Sequence, residues 1–185
     1  MNDADAVLRC QDGDREAFRH LVESYEDVLY GTAYLMTGNT DLSEEHVQEA
    51  FLSAWRGIKG FRTGYPVKPW LVRILVNTVM TQRRRRSVPI DPLDTAVAQS
   101  SAGDPAELAE SIEARQRVRR AITTLSEDHS TVVTLRFFSG LTVPQVAQAL
   151  GMREGTIKSR LHRALQHLRR ELEDSGPGNG DSDEQ

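Results

Sequence analysis

Arg153, Lys158, Arg160, Arg163, Arg169 and Arg170 lie between Gly151 and Arg170 with a single acid, Glu154, among them. Cations at that density do one of two things: they hold a polyanion, or they form the solvated side of a helix whose other side is buried, here Leu161, Ala164, Leu165 and Leu168. A second cationic stretch runs from Arg56 to Ile90, where Arg56, Lys59, Arg62, Lys68, Arg73 and Arg83 to Arg86 stand with no Asp or Glu. Phe61, Tyr65 and Trp70 are interleaved with these cations. That mixture suits an extended polyanion carrying flat rings, because cations track the backbone while aromatic faces stack. Other chemistries lack their residues. There is no phosphate-cradling glycine motif, and His20, His46, His129, His162 and His167 show no metal-ligand pairing, so neither a metal nor another cofactor is expected.

The rest of the chain bounds what can carry these residues. Its 185 residues, 38% of them hydrophobic, fill one ordinary domain or two small ones. A lone cysteine, Cys10, excludes a disulfide framework and a cysteine-rich metal site, and fits a reducing, intracellular compartment. The acidic first residues lack the basic start and apolar core of a signal peptide, and no stretch approaches the roughly 18 apolar residues of a membrane span, so a soluble protein is expected. Formal net charge is -4, yet the sign is segregated along the chain. Ser87 to Ile112 holds Asp91, Asp94, Asp104, Glu107 and Glu110 with no Lys or Arg, and Glu171 to Gln185 is acidic and rich in Gly and Ser.

Periodicity supplies the supporting elements. Phe18, Leu21, Val22, Tyr25, Val28, Leu29 and Thr32 recur at helical spacing and predict a long helix from Asp14 to Gly38. A second helix is predicted from Asp41, with Asp41 and Glu44 as a capping box and Val47, Ala50, Phe51, Ala54 and Ile58 as its apolar stripe. Gly60, Gly64, Pro66 and Pro69 make "GFRTGYPVKPW" a loop, followed by a helix from Trp70 to about Arg86. There Leu71, Ile74, Leu75 and Val79 face inward while Arg73 and Asn77 share another face. "SVPIDPLDTAVAQSSAGDPAEL" has three prolines and weak periodicity, which predicts a flexible linker. Helicity resumes near Glu107 and runs to Leu125, with Ile112, Val118, Ile122 and Leu125 inward. "SEDHSTVVTLRFFSG" then begins at a Ser126 cap and ends at Gly140. The expected fold class is all-α: two small helical domains, 10–86 and 107–172, joined by a flexible acidic linker, 87–106, with a disordered acidic tail, 173–185.

The C-terminal cations belong to a specific arrangement. Thr142 and Gln145 can cap a short helix reciprocally, Val146, Ala147 and Leu150 face inward, Gly151 permits a left-handed turn, and Met152 and Ile157 return to the core. Ala147, Gly151 and Ile157 have the spacing of a helix-turn-helix: a small residue for close crossing, a turn glycine and a branched residue at the junction. The second helix then displays Arg153, Thr156, Lys158, Ser159, Arg160 and Arg163, residue types that reach base edges and phosphates in a major groove. The block "AITTLSEDHSTVVTLRFFSGLTVPQVAQALGMREGTIKSRLHRALQHLRREL" resembles the promoter-reading C-terminal domain, sigma-4, of extracytoplasmic-function (ECF) sigma factors of the sigma-70 family. By itself it also resembles the helix-turn-helix of LuxR-type regulators.

The N-terminal half favours the first resemblance. "DLSEEHVQEAFLSAW" resembles the sigma-2 helix that docks on the clamp coiled coil of RNA polymerase, and "PVKPWLVRILVNTVMTQRRRR" resembles the adjacent minus-10 segment. The similarity covers about Asp12 to Leu172, with both blocks in family order. It implies that Asp41, Glu44, Glu45, Gln48, Glu49 and Trp55 meet core polymerase, that Arg62, Lys68, Trp70, Arg73, Asn77, Arg83 and Arg84 meet the melted minus-10 strand, and that the sigma-4 helix reads a minus-35 duplex. Three positions depart from the pattern: His46 stands at a usually apolar site, Ser126 where Pro is common and Ser130 where Arg is common. The resemblance implies a cytoplasmic, non-enzymatic initiation factor whose partners are core RNA polymerase, promoter DNA and an anti-sigma protein. The alternatives are a stand-alone helix-turn-helix regulator, binding one operator tightly without polymerase, and, with less support from the residues, an enzyme.

Overall fold

Asn2 accepts a hydrogen bond from the Asp5 N–H at 2.9 Å and thereby caps a first helix, α1 (Asp3–Gln11), that hydrophobic spacing alone does not announce. A computed structural model describes residues 1–86, 120–122 and 124–174. Asp14 caps α2 (Arg15–Thr37) through the backbone N–H groups of Glu16 and Ala17, at 2.9 and 3.2 Å. The Arg9 guanidinium is 2.6 Å from the same carboxylate, and that hydrogen bond, followed by the one from Ala17, holds the Asp14 carboxyl below its ordinary range. Gly38, at φ 69°, closes α2 in the left-handed conformation. α3 (Thr40–Gly57) starts one residue before the predicted position. Its cap is Asn39, whose side chain accepts from the Leu42 N–H at 2.9 Å, so Asp41 lies in the first turn and is not the cap. A 3-10 turn, Ile58–Gly60, leads through the loop to α4 (Val67–Arg86), which begins at Val67, ahead of the expected Trp70.

In the C-terminal half, residues 120–122 are helical, and Leu125 is buried before α5 (Glu127–Val133). Ser126 occupies the cap position, but its hydroxyl makes no cap hydrogen bond. The backbone then widens into a π-helical turn, Thr134–Phe138, closed by the Ser139 N–H to the Thr134 carbonyl at 2.9 Å. Thr142 and Gln145 form the predicted reciprocal cap of α6 (Val143–Leu150). Gly151, at φ 64°, turns the chain toward α7 (Glu154–Asp174). That helix ends at Asp174, beyond the expected boundary at Leu172. The predicted linker, Ile112, Val118 and the tail past Asp174 lie outside the described residues.

α2, α3 and α4 pack together around Leu21, Leu29, Leu71, Leu75 and Val79, with α1 closing one end through Ala6, Val7 and Cys10. α5, α6 and α7 pack around Leu135, Leu141, Val146, Ile157 and Ala164. Leu165, expected to face inward, is 45% exposed; the buried stripe of α7 is instead Ile157, Leu161 and Ala164. These two groups of helices share one continuous hydrophobic cluster: α6 lies against α4, and α2 touches both α5 and the π-helical turn. Among the described residues, no helix is long and apolar enough to cross a membrane.

Candidate nucleic-acid interface

The turn between α6 and α7 fixes which side of α7 faces out. The Met152 N–H donates to the Ala147 carbonyl at 2.9 Å, and Ile157 is fully buried beneath the junction. Burial of Ile157, Leu161 and Ala164 on one side leaves Arg153, Thr156, Lys158, Ser159 and Arg163 exposed on the other. Their arrangement places cation and hydroxyl side chains along about three turns at the start of α7, able to enter a groove and donate to acceptors on its floor or walls. Arg160 differs: its Nη2 lies 2.7 Å from Asp128 Oδ2, its Nη1 donates toward Met152 Sδ at 3.3 Å, and its side chain is 22% exposed. His162, considered in the sequence only as a metal ligand, stands exposed one turn beyond Lys158 and beside Arg163. Its signal was positional, an exposed residue between two candidate contacts on a helix already assigned a buried face.

A groove of about 230 Å³ adjoins this face, lined by Ser126, His129, Arg163, His167 and Arg170 among others. Thr124 Oγ1 and His167 Nε2 are 2.9 Å apart along its wall. Arg170, which sequence reading counted only as part of the charge, thereby extends the cationic surface along α7.

The second cationic surface gathers on the loop before α4 and on α4 itself. Arg73 and Asn77 are exposed one turn apart, as expected. Arg62 is exposed and lies over the Tyr65 ring, 5.5 Å from its centroid, and Tyr65 is 59% exposed. Trp70 is half-buried, its ring centroid 4.7 Å from that of buried Phe61, so most of the indole serves packing. Lys68 and Arg83 turn toward the C-terminal half. Arg83 donates to the Met36 carbonyl and to the Glu127 carboxylate. The side chain of Arg84 lies outside the described residues.

The acidic side of α3 is separate from both. Asp41, Glu44, Glu45, Gln48 and Glu49 are all exposed, and Leu52, absent from the sequence reading, continues that face at 51% exposure. Gln82 donates to Glu45 at 3.0 Å, while Arg56 lies 3.6 Å from Glu49. Burial first, and then the charge of Glu44, holds the Tyr30 hydroxyl above its ordinary pKa. Trp55 is half-buried with its ring 5.2 Å from Phe18, and Phe51 is core. His46 is buried at 3% exposure on the inner side of the same helix. The acidic side, with one exposed leucine in it, has the make-up of a surface that a basic helix would cover.

Comparison with known proteins adds family matches to both halves. Residues 21–88 match Sigma-70 region 2, and residues 115–168 match Sigma-70 region 4. The chain is 30% identical over 179 residues to the ECF RNA polymerase sigma factor SigW of Bacillus subtilis (strain 168), covering 91% of this chain and 95% of the relative. It is 33% identical over 178 residues to the ECF RNA polymerase sigma-E factor of Escherichia coli (strain K12), covering 91% and 93%. Among solved structures, the sigma factor RpoE of Bartonella quintana in complex with the anti-sigma factor NepR superposes with a TM-score of 0.70 at 27% identity, covering 86% of this chain and 98% of that one. CnrH in complex with the cytosolic domain of CnrY gives a TM-score of 0.68 at 22% identity, over 94% and 99%, a likeness of fold.

Proposed function

Because this chain belongs to the ECF sigma factors of the sigma-70 family, and is thereby a promoter-recognition factor of transcription initiation, we propose a division of labour among its three surfaces. α7 enters the major groove of a minus-35 element with Arg153, Thr156, Lys158, Ser159, His162 and Arg163 outward. Lys and Arg there bind guanine edges or phosphates, and the hydroxyls of Thr156 and Ser159 donate to either. Arg62, Arg73 and Asn77, with Tyr65 beside them, meet the melted minus-10 strand. The cations follow its phosphates while a ring offers a stacking face. Arg84 belongs with the phosphate contacts, and Lys68, Trp70 and Arg83 border the same surface. The acidic side of α3, from Asp41 through Glu44, Glu45, Gln48 and Glu49 to Leu52 and Trp55, docks on core RNA polymerase. Charge sets the orientation there, and Leu52 supplies apolar burial.

The domains carrying these surfaces are residues 10–86 and 107–172. The factor acts in the cytoplasm by binding and positioning, and RNA synthesis remains the chemistry of polymerase. Since the similar sigma factor RpoE of Bartonella quintana was captured with the anti-sigma factor NepR, an anti-sigma partner is part of this reading. The observation that carries the whole is one exposed recognition helix and one exposed cationic α4 face in the same chain, in the family's order.

Run-off transcription from a promoter library, with core polymerase and with or without this chain, tests it. Transcripts that start only when the chain is present, downstream of a shared pair of elements, are expected. Identical start sites without it would overturn the reading. So would tight binding to a single duplex operator in the absence of polymerase, which is the behaviour of a stand-alone regulator.

A further inference from the structure

Arg163, Gln166, His167 and Arg170 follow one another at the i, i+3, i+4, i+7 spacing that puts them on a single stripe of α7. That stripe and the segment leading into α5, with Ser126 and His129, enclose the groove of about 230 Å³. Four of its eight lining residues are Arg or His and none is an acid. In a chain with 27 Asp and Glu against 23 Lys and Arg, composition alone does not produce such a lining. The acids next to it in sequence are occupied elsewhere. Glu127 pairs with Arg83 and Asp128 with Arg160, arginines that do not line the groove. Arg163 and Arg170 have no acidic partner among the described residues. Ser126 makes no cap hydrogen bond, which leaves its hydroxyl as a further donor.

We propose that this groove is a binding site for a phosphate group, gripped by Arg163 and Arg170 and held more tightly when His129 and His167 carry charge. Size narrows the ligand. Pockets for whole organic ligands run to about 300–1,000 Å³, so a groove below that range suits one anionic group and not an entire nucleoside. Shape narrows it further. A carboxylate offers two oxygens in one plane, whereas a phosphate offers three acceptors spread around a centre, which matches donors arriving from two walls. Position excludes a base. α7 rises ~1.5 Å per residue, so Arg170 stands about 20 Å along the axis from Thr156. A recognition helix reads base edges with its first residues, in a groove about 8.5 Å deep. Arg170 is therefore past the bases. The phosphate it meets comes either from the flank of the duplex or from a phosphate-bearing molecule in solution. The duplex source rests on the assignment of α7 to the minus-35 element; the site itself does not.

The histidines give the site its dependence on pH. The Thr124 hydroxyl donates its one hydrogen to the Ala121 carbonyl at 2.9 Å, so toward His167 Nε2, also at 2.9 Å, its oxygen accepts. The neutral imidazole of His167 thus carries its hydrogen on Nε2. Protonation adds an N–H at Nδ1 without breaking the bond to Thr124, and adds a positive charge to the wall. Glu171, 3.9 Å from Nε2, is the carboxylate with which a bound anion competes for that charge. Glu127 and Asp128 beside His129, and Arg163 and Arg170 across from it, are the other charged groups of the two walls. Charging both rings strengthens the hold on an anion, so affinity rises as pH falls from about 8 to about 6.

Titration of the full chain with inorganic phosphate at constant ionic strength, followed by the NMR signals of its histidine rings, tests the site. The His129 and His167 signals are expected to move and to saturate at millimolar phosphate, with those of His20 and His162 unmoved. Sulfate, whose charge does not change over this pH range, is expected to bind more tightly at the lower pH. His129→Gln/Arg170→Gln, which alters two surface side chains and no proposed base contact, is expected to keep its helix content by circular dichroism and to weaken the binding at least tenfold. A second arm identifies the source. Minus-35 duplexes carrying one neutral methylphosphonate at a time are bound to holoenzyme made with the native chain or with the double variant. A position that weakens the native complex and not the variant one makes the duplex the source of the phosphate. Saturable phosphate binding with no such position makes it a dissolved molecule. Histidine signals that all drift together without saturating, and no sensitive duplex position, would overturn the proposal. The first arm needs no promoter, so a native chain that yields no promoter-dependent transcripts sinks the functional assignment and leaves the site standing.

Discussion

Arg160 and Arg163 share a recognition helix but not a fate. The guanidinium of Arg160 is turned back onto Asp128 and Met152, whereas Arg163 is exposed on the outward face. A partly exposed ion pair contributes only about 0.2–1 kcal/mol, too little to set the angle of α7 against α5. Burial of Ile157, Leu161 and Ala164 does that. The effect of Asp128 is instead to occupy Arg160. A good base contact is worth about 1–3 kcal/mol, roughly fivefold or more in occupancy. Arg163→Ala is therefore expected to lower minus-35-dependent initiation by about fivefold or more, and Arg160→Ala by a smaller factor, with purified holoenzyme and one promoter as the assay. The reverse ranking would place Arg160, not Arg163, at the DNA. Asp128→Asn should free Arg160 to bind phosphate, making the salt dependence of duplex binding steeper by about one counterion. An unchanged slope would show that Arg160 is held by Met152 and packing alone.

At the scale of elements, the caps carry both the fold and what can be foreseen of it. Thr142 and Gln145 satisfy two backbone donors of α6 reciprocally, and α6 in turn seats the recognition helix. Thr142→Ala is expected to cost ~1 kcal/mol, seen as a lower urea midpoint with unchanged slope. Asp14 couples α2 to pH. Its folded pKa lies below the ordinary value, so the stabilisation is complete above that ordinary value and is lost as pH falls through the depressed one. Asp14→Asn, which keeps a capping acceptor but not the charge that pairs with Arg9, should flatten the acid limb of a melting-temperature profile. A limb as steep as the native one would assign the loss to other carboxylates. The Thr142 cap, Gly38, Gly151 and the outward faces of α3 and α7 were all legible, because each depends on residues within about one or two turns of one another. Legibility fails where a cap competes with a neighbour, as Asn39 does with Asp41, and where the helix is too short for periodicity to show, as in α1. It also fails at Leu165, whose exposure depends on which of two adjacent stripes meets α5 and α6.

At the scale of the molecule, the decisive contacts join residues that sequence gives no reason to pair. Thr32 and Ser139 are 107 positions apart, and nothing in either neighbourhood asks for the other. Gly31 is the one trace left in the sequence, a helix-weakening residue inside a strong helical pattern, kept bare by the Phe138 ring that lies against it. Charge, in contrast, is readable at this scale because it acts at a distance. The chain has a net charge of -4 while the two surfaces proposed to face DNA are basic, so the remaining acids must weaken attachment of the free chain to any duplex. Asp91, Asp94 and Asp104 lie in sequence between the two basic stretches, with no Lys or Arg from Ser87 to Ile112. Neutralising all three as Asn raises the net charge by three, from -4 to about -1, without touching a proposed DNA contact. Random duplex should then bind the free chain several-fold more tightly at low salt, with the difference shrinking as the Debye length falls to about 8 Å near 0.15 M. Fluorescence anisotropy across a salt series measures it. Affinity unchanged at every ionic strength would show that these three acids do not weaken attachment of the free chain to duplex.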